Sequence, residues 1–230
     1  TNSYNIGLDL ALFDNRVELI ADAYYKKTDN LLMQASLPTY VSGLIGAPWV
    51  NAGAMTNKGV EFTLNTRNIL THDFTWTSGL TFSINRNEVT KLYSESSAIS
   101  GINGNETLTY TMVGEPVGQF YGYKVIGMFK EESDFYKKDA DGNFQLDEAG
   151  NRIRIAIPKG QQISKNGIWV GDYIYEDLHE DGVIDEKDRT FLGNPAPKFT
   201  FGFNNYFAYK GFDLNIFLNG SVGNKAVNLI

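Results

Sequence analysis

Residues 195–222, PAPKFTFGFNNYFAYKGFDLNIFLNGSV, are the most informative stretch for the fold class. Odd positions over residues 199–209 are mostly aromatic, and small or polar residues lie between them. After Lys210-Gly211 the apolar residues move to even positions over residues 212–218. Because side chains alternate between the two faces of a strand, this pattern predicts an antiparallel hairpin with one wholly apolar face. A soluble sandwich can also bury such a face, so the hairpin alone leaves both architectures open.

Two earlier segments repeat the same hairpin design. The strands predicted there are Tyr4–Phe13, Arg16–Lys27, Asn57–Arg67 and Asp73–Asn85. Connections between successive strands alternate between short turns and long segments, the long ones covering residues 28–56 and 87–197. All short turns therefore lie at one rim of the sheet and all long loops at the other, which is typical of an outer-membrane β-barrel with strands of about ten residues.

Residues 87–197 are too long for a structureless loop, so local structure is expected inside them. The predicted elements are a strand over 120–128, a small hairpin about 147–150 and a further strand over 168–175. The smallest membrane barrels have about eight strands, and lipid cannot satisfy an open sheet edge. The six clear strands are therefore expected to be a piece of a larger barrel.

Composition narrows the classes of function. The chain has 230 residues, 42% of them hydrophobic, and a net charge of −7, which argues against nucleic-acid binding. No cysteine is present, so disulfides and cysteine-based sites are excluded. No signal peptide opens the sequence, and no apolar run is long enough for a transmembrane helix.

The acidic segment 177–188, DLHEDGVIDEKD, has the spacing of a twelve-residue calcium loop. Gly182 occupies the sixth position, where a left-handed turn is needed, and Ile184 the eighth, where an apolar anchor belongs. The candidate ligand positions are Asp177, His179, Asp181, the Val183 carbonyl, Asp185 and Asp188. His179 departs from the pattern, because the third position normally supplies oxygen. The alternative is an acidic, solvated turn that needs no metal.

Nothing in the sequence indicates catalysis. There is no nucleophile elbow, phosphate loop or zinc spacing, and His72 and His179 are isolated; a second acidic turn, Asp139–Asn143, is predicted to be a plain hairpin turn. Three aromatic residues in the long connections, Tyr40, Trp49 and Tyr93, are candidates for stacking on a sugar. For any one of them, ordinary loop packing is the alternative.

Three stretches together resemble SusC/RagA-type TonB-dependent outer-membrane transporters of Bacteroidetes, in the later part of their barrel. They are NAGAMTNKGVEFTLN (51–65), GEPVGQFYGYKVIGMF (114–129) and residues 171–224, which begin GDYIYEDLHEDGVIDEKD. The resemblance implies a 22-stranded barrel with an N-terminal plug that these residues do not include. It also implies a SusD-like surface lipoprotein as a lid, and energy delivered through TonB. The substrates implied are oligosaccharides or peptides, and the family often carries the acidic run matched at 177–184.

The resulting hypothesis is an all-β segment of an antiparallel transmembrane barrel in the bacterial outer membrane, without enzymatic activity. Residues 1–230 would be part of one barrel, with 87–197 as a long extracellular region. Odd positions of 198–209 and even positions of 211–220 would face lipid. The polar lumen side would carry Glu18, Asp22, Glu61, Arg67 and Asp213. The alternative is a secreted calcium-binding β-sandwich that binds glycans, which requires Phe199, Phe201 and Phe203 to be buried against a second sheet.

Overall fold

The computed structural model describes residues 1–34, 49–93, 98–103 and 106–228. They divide into a sheet unit, Thr1–Gln119 with Gly193–Ile230, and a loop unit, Phe120–Leu192. The strands in chain order are β1 (Asn2–Leu12), β2 (Val17–Gln34), β3 (Trp49–Leu70), β4 (Phe74–Lys91), β5 (Ile99–Asn103), β6 (Glu106–Thr111), β7 (Gln119–Tyr123), β8 (Val125–Met128), β9 (Ile157–Pro158), β10 (Tyr173–Tyr175), β11 (Val183–Ile184), β12 (Arg189–Gly193), β13 (Phe199–Tyr209) and β14 (Phe212–Val222). Single 3₁₀ turns cover Glu132–Phe135 and Glu186–Asp188. No helix among the described residues is long and apolar enough to cross a membrane.

The sheet unit is built on one six-stranded antiparallel meander in the order β1-β2-β3-β4-β13-β14. Its three short connections, β1–β2, β3–β4 and β13–β14, lie at the same end of the sheet, as predicted. The last turn consists of Lys210 and Gly211 with φ values of 44° and 90°. Positive φ at both central residues gives a turn whose twist matches the flanking strands, which is why two residues suffice.

Three strands are longer than the alternation predicts, and each extends toward the long connections. β2 continues to Gln34, β3 begins at Trp49, and β4 continues to Lys91. The predicted connection 28–56 is therefore too long, and the predicted region 87–197 begins inside β4. Alternation fails there because polar and apolar residues mix on both faces, although the backbone ladder continues through a bulge after Thr28.

Cross-strand register places the predicted apolar residues on one face, which we call the apolar face. Residues directly opposite each other point to the same side of an antiparallel sheet, so each row of partners can be followed from strand to strand. The rows are Ile6, Ala23, Val60 and Ile84; then Leu8, Ala21, Phe62, Phe82, Phe201 and Gly220; then Leu10, Leu19, Leu64, Leu80, Phe203 and Leu218. The second and third rows are unbroken by any polar side chain across all six strands.

The opposite side of the meander, which we call the polar face, carries the residues predicted for the lumen. One row consists of Gly7, Asp22, Glu61, Ser83, Thr200 and Ser221. Rows nearer the short turns contain Glu18 and Arg67, whose side chains form an ion pair at 3.5 Å. The two faces of the sheet therefore differ sharply in polarity, as the alternation predicted.

The loop unit has its own small aromatic core. Phe129 is 2% exposed, and its ring centroid lies 4.8 Å from that of Phe135, which in turn is 5.5 Å from Trp169. The predicted strand 120–128 is present but split between β7 and β8. The predicted strand 168–175 is largely wrong, since only Tyr173–Tyr175 forms β10. β8 and β10 pair antiparallel in a two-stranded sheet.

The predicted hairpin about residues 147–150 is confirmed. Leu146 and Arg152 form an antiparallel bridge across it, and the Asp147 carboxylate accepts hydrogen bonds from the amides of Ala149 and Asn151. Asp139 forms an equivalent turn eight residues earlier, as expected for a plain acidic turn.

Candidate functional site

The apolar face has the height of a bilayer core. Along β14, apolar side chains recur at every even position from Phe212 to Leu218, and Val222 ends the series. Ten residues at about 3.3 Å each span about 33 Å along the strand. The tilt of about 40° that transmembrane barrel strands have would reduce this length to a depth of about 25 Å, which is the height of their apolar band.

A polar cluster interrupts the apolar face near the short-turn end. Asn205 is 8% exposed, and its Oδ1 accepts hydrogen bonds from Trp76 Nε1 at 3.1 Å and Ser78 Oγ at 2.7 Å. Asn68 Nδ2 donates to Ser78 Oγ at 2.7 Å. The odd positions of residues 198–209, predicted to face lipid, therefore include one buried polar side chain, that of Asn205. The cluster satisfies its own polar groups, so the face can tolerate it.

The polar face carries charge at close spacing. Asp22 lies directly opposite Glu61, and neither carboxylate forms an ion pair within the described part of the chain. A crevice of about 200 Å³ lies near the short-turn end, bordered by Glu18, Arg67 and Asn204. The Asn204 Oδ1 atom is buried without a hydrogen-bond partner among the described residues. This surface is suited to water and polar solutes rather than to a hydrophobic partner.

The acidic loop 177–188 adopts the turn that the spacing predicted. Gly182 has φ of 85°, and its amide donates to Asp177 Oδ2 at 2.9 Å. Ile184 is 3% exposed, and β11 pairs in parallel with β9. The backbone expectations for the sixth and eighth positions are therefore confirmed.

Asp188 closes this loop through backbone amides. It is 1% exposed, and its oxygens accept hydrogen bonds from the amides of Asp185 at 2.8 Å, Leu178 at 2.9 Å and His179 at 3.3 Å. These donors, first that of Asp185, hold the pKa of the Asp188 carboxyl below its usual range. The protein's own backbone donors therefore hold the last residue of the loop in place.

The donor set fits a calcium ion incompletely. Among the described residues, no three acidic or histidine side chains are placed to hold a metal ion together. Asp177 Oδ1 is buried without a partner, which suits an ion, but both Asp188 oxygens are occupied and His179 Nδ1 lies 3.6 Å from one of them. The calcium assignment to Asp177, His179, Asp181, Val183, Asp185 and Asp188 remains a prediction.

Two of the three aromatic candidates lie among the described residues. Trp49 is 63% exposed at the first residue of β3, and Tyr93 is 46% exposed two residues after the end of β4. Both belong to the long-connection end of the sheet unit. Tyr40 lies outside the described residues.

The fold is an antiparallel sheet with an apolar face and a polar face. Comparison with known proteins assigns the class of protein. Residues 1–225 match the family described as "TonB dependent receptor-like, beta-barrel". The chain belongs to this family. The predicted all-β class and the predicted likeness to SusC/RagA-type receptors are both confirmed.

Two curated relatives and one solved structure are similar to this chain. TonB-dependent receptor P3 of Formosa agariphila is 37% identical over 228 residues, which are 97% of this chain and 20% of that protein. TonB-dependent receptor SusC of Bacteroides thetaiotaomicron is 27% identical over 225 residues, 97% of this chain and 19% of SusC. The RagAB peptide importer in its open-open state gives a TM-score of 0.66 at 22% identity, covering 96% of this chain and 20% of its own.

The matches cover only part of each relative. This chain spans about a fifth of the length of the curated relatives it matches. The relatives are receptors by name rather than enzymes. The RagAB likeness, at its low identity, shows the fold alone.

Proposed function

We propose that this chain is an arc of an outer-membrane barrel that imports oligosaccharides or peptides in the manner of a SusC-like TonB-dependent transporter. The apolar face contacts lipid, and the polar face lines the lumen. The long connections face the outside of the cell, and the short turns face the periplasm. Two apolar rows continuous across six strands carry this proposal.

The exposed apolar face supports a membrane location over a sandwich. A sandwich would bury Phe201 and Phe203 against a second sheet, yet these side chains are 36% and 38% exposed. An exposed apolar surface that runs without interruption across six strands marks a contact with lipid or with another protein. The depth of about 25 Å and the segregation of short and long connections favour lipid.

The orientation can be tested by labelling single cysteines. The chain has no cysteine of its own, so a cysteine at His72 or Asp141 is unique within it. His72 lies in the β3–β4 turn and its side chain is 99% exposed, whereas Asp141 lies in the exposed acidic turn of the loop unit. In the full-length protein, an impermeant maleimide should label the Asp141 variant on intact cells and the His72 variant only after permeabilisation. Labelling of both, or the reverse order, would contradict the proposed topology.

Partners and substrate follow from the family rather than from this arc. We propose a SusD-like lipoprotein as the surface partner, and coupling to TonB through a part of the protein outside residues 1–230. The resemblance to SusC/RagA-type transporters leaves oligosaccharides and peptides as the two candidate substrate classes, because the likeness to the RagAB peptide importer shows the fold alone. Growth of a deletion strain on single glycans and on peptides, with and without the complementing gene, distinguishes the two substrates.

We propose that Trp49, the more exposed of the two described aromatic candidates, contacts the substrate from the outer end of β3. We expect Trp49→Ala to raise the apparent KM for uptake while leaving the amount of protein in the membrane unchanged. Tyr93→Ala is the matched comparison near the end of β4. Unchanged uptake in both variants would assign these rings to packing.

Calcium is proposed only as a structural ion of the acidic loop. Asp177, through its unpartnered Oδ1, is the residue that most supports binding. Protease resistance of the loop in the full-length protein should rise on adding Ca²⁺ to the chelator-treated wild type, and not in Asp177→Asn. Equal resistance with and without Ca²⁺ would show that the hydrogen bonds of Asp188 are sufficient.

A further inference from the structure

A short row of side chains borders the apolar face at its long-connection end. It consists of Tyr4, Tyr25, Lys58 and Arg86, which are directly paired across β1, β2, β3 and β4. All four are exposed. The row lies two residues beyond the apolar row that ends at Ile84, on the same face of the sheet. We call it the basic-aromatic row.

Lys58 and Arg86 are like charges placed directly opposite each other. Such a pair destabilises a sheet unless an anion compensates it. Within the described residues neither side chain forms an ion pair, although Lys27 nearby is paired with Asp29 at 3.3 Å. Glu88 lies one row further on the same face and forms no ion pair with Arg86.

The guanidinium of Arg86 is held in place by backbone oxygens. Its Nη1 donates to the carbonyls of Asn85 at 3.0 Å and Pro197 at 3.4 Å. These neutral acceptors orient the group without neutralising its charge. An oriented guanidinium beside an ammonium and two phenol groups offers several donors to a tetrahedral oxyanion.

The opposite border of the apolar face has a different composition. There the paired residues Phe74, Tyr209 and Phe212 are aromatic, and Lys210 belongs to the turn itself, 5.3 Å from the Tyr209 ring centroid. Aromatic residues therefore mark both borders, whereas cations on the face itself mark the long-connection border. The asymmetry points to an anion in one leaflet.

We propose that the basic-aromatic row binds the phosphate of an anionic lipid headgroup in the leaflet on the long-connection side. The inference rests on the proposed membrane location, which places this row at headgroup depth. Lys58 and Arg86 would share the phosphate oxygens, which removes their mutual repulsion, and Tyr4 and Tyr25 would lie at the interface and donate hydrogen bonds. Lipid in contact with these strands would then be selected by charge rather than only by hydrophobic thickness.

The test uses the full-length protein reconstituted in phosphatidylcholine vesicles, with spin-labelled phosphatidic acid or spin-labelled phosphatidylcholine as the probe. Electron paramagnetic resonance gives the fraction of each probe immobilised by the protein. Wild type should prefer phosphatidic acid, and Lys58→Gln with Arg86→Gln should lower that preference by about fivefold for each cation removed. The preference should also weaken at high salt.

The matched control removes the same charge from the polar face. Lys26 lies beside Tyr25 on β2 and alternates onto the polar side, so Lys26→Gln should keep the preference that Lys58→Gln alone lowers. A Lys58→Arg with Arg86→Lys variant preserves charge and should keep it too. Equal loss in the control, or no loss in the double glutamine variant, overturns the lipid site. Failure of wild-type protein to insert would instead overturn the membrane location itself.

Discussion

Arginine placed at successive depths on β4 tests the lipid contact of the apolar face most directly. Leu80 lies in the third apolar row, near the middle of the band, and Ile84 lies in the first. Four residues separate them, which is about 13 Å along the strand and about 10 Å in depth at a tilt of about 40°. Native Arg86 lies beyond both, at the border of the band.

The expected cost depends on this depth. Arginine on a lipid-facing strand costs about 2–4 kcal/mol at the bilayer midplane and about 0–1 kcal/mol near the interface. Leu80→Arg should therefore destabilise the full-length protein by about 2–4 kcal/mol, and Ile84→Arg by about 1 kcal/mol or less beyond its lost packing. Thr81→Arg, one residue away on the polar face, should be close to neutral because the lumen is solvated.

Reversible urea unfolding in phospholipid vesicles, followed by tryptophan fluorescence, measures all three variants under one condition. The informative quantity is the difference between the losses of unfolding free energy in Leu80→Arg and Ile84→Arg. Each variant also loses a similar aliphatic side chain, so the cost of lost packing cancels in this difference. Equal costs at the two depths would refute the lipid assignment, because a protein partner covering the face has no depth gradient. An equal cost at Thr81 would refute the assignment of the polar face to a solvated lumen.

Three further predictions concern packing and charge. Gly59→Ala should destabilise the protein by about 1–3 kcal/mol, because its Cβ would lie 2.5 Å from the backbone oxygen of Ile84; Gly79→Ala, whose Cβ would meet only a side-chain oxygen at 3.3 Å, is the control in the same unfolding assay. Phe129→Ala should cost the loop unit about 3–5 kcal/mol, detected as protease cleavage within residues 120–192 while the sheet stays resistant. Asp188→Asn should abolish the acid sensitivity of the acidic loop 177–188. The pKa of Asp188 is depressed in the folded protein, so the stabilisation by its carboxylate is present above the unfolded pKa and is lost as pH falls through the folded pKa. A wild-type acidic loop that is equally protease-resistant at acidic and neutral pH would contradict this.

Alternation makes the sheet predictable because each strand meets two different environments. From Phe199 to Leu218 the sequence alone indicates the turn, the pairing and the apolar side. The same rule fails beyond Lys27 and before Asn57, where β2 and β3 continue although polar and apolar residues mix on both sides. Alternation with a period of two residues appears only where the two faces of a strand differ in polarity. The backbone hydrogen bonds between strands do not need that difference, so the strands continue beyond it.

The candidate sites are less predictable because they depend on which strands are neighbours. Alternation along each strand places Lys58 on the same face as Val60, and Arg86 on the same face as Ile84. Only the register between β3 and β4 shows that the two cations lie directly opposite each other. Asn205 occupies an apolar position in the alternation, and its partners Trp76 and Ser78 are more than a hundred residues away. In the acidic loop the spacing predicts the turn at Gly182. It does not predict that backbone amides donate to both oxygens of the Asp188 carboxylate.

Like charges lie opposite each other on both sides of this sheet, and the two pairs have opposite sign. Asp22 opposes Glu61 on the polar face, and Lys58 opposes Arg86 at the border of the apolar face. A sheet in bulk water gains nothing from either arrangement, since each pair repels and no described neighbour neutralises it. Both pairs fit the proposed arc between two media. Solvent in the lumen would screen the acidic pair, and lipid phosphates would compensate the basic one. On this proposal, the charges that oppose isolated folding are those that orient the sheet between lumen and lipid.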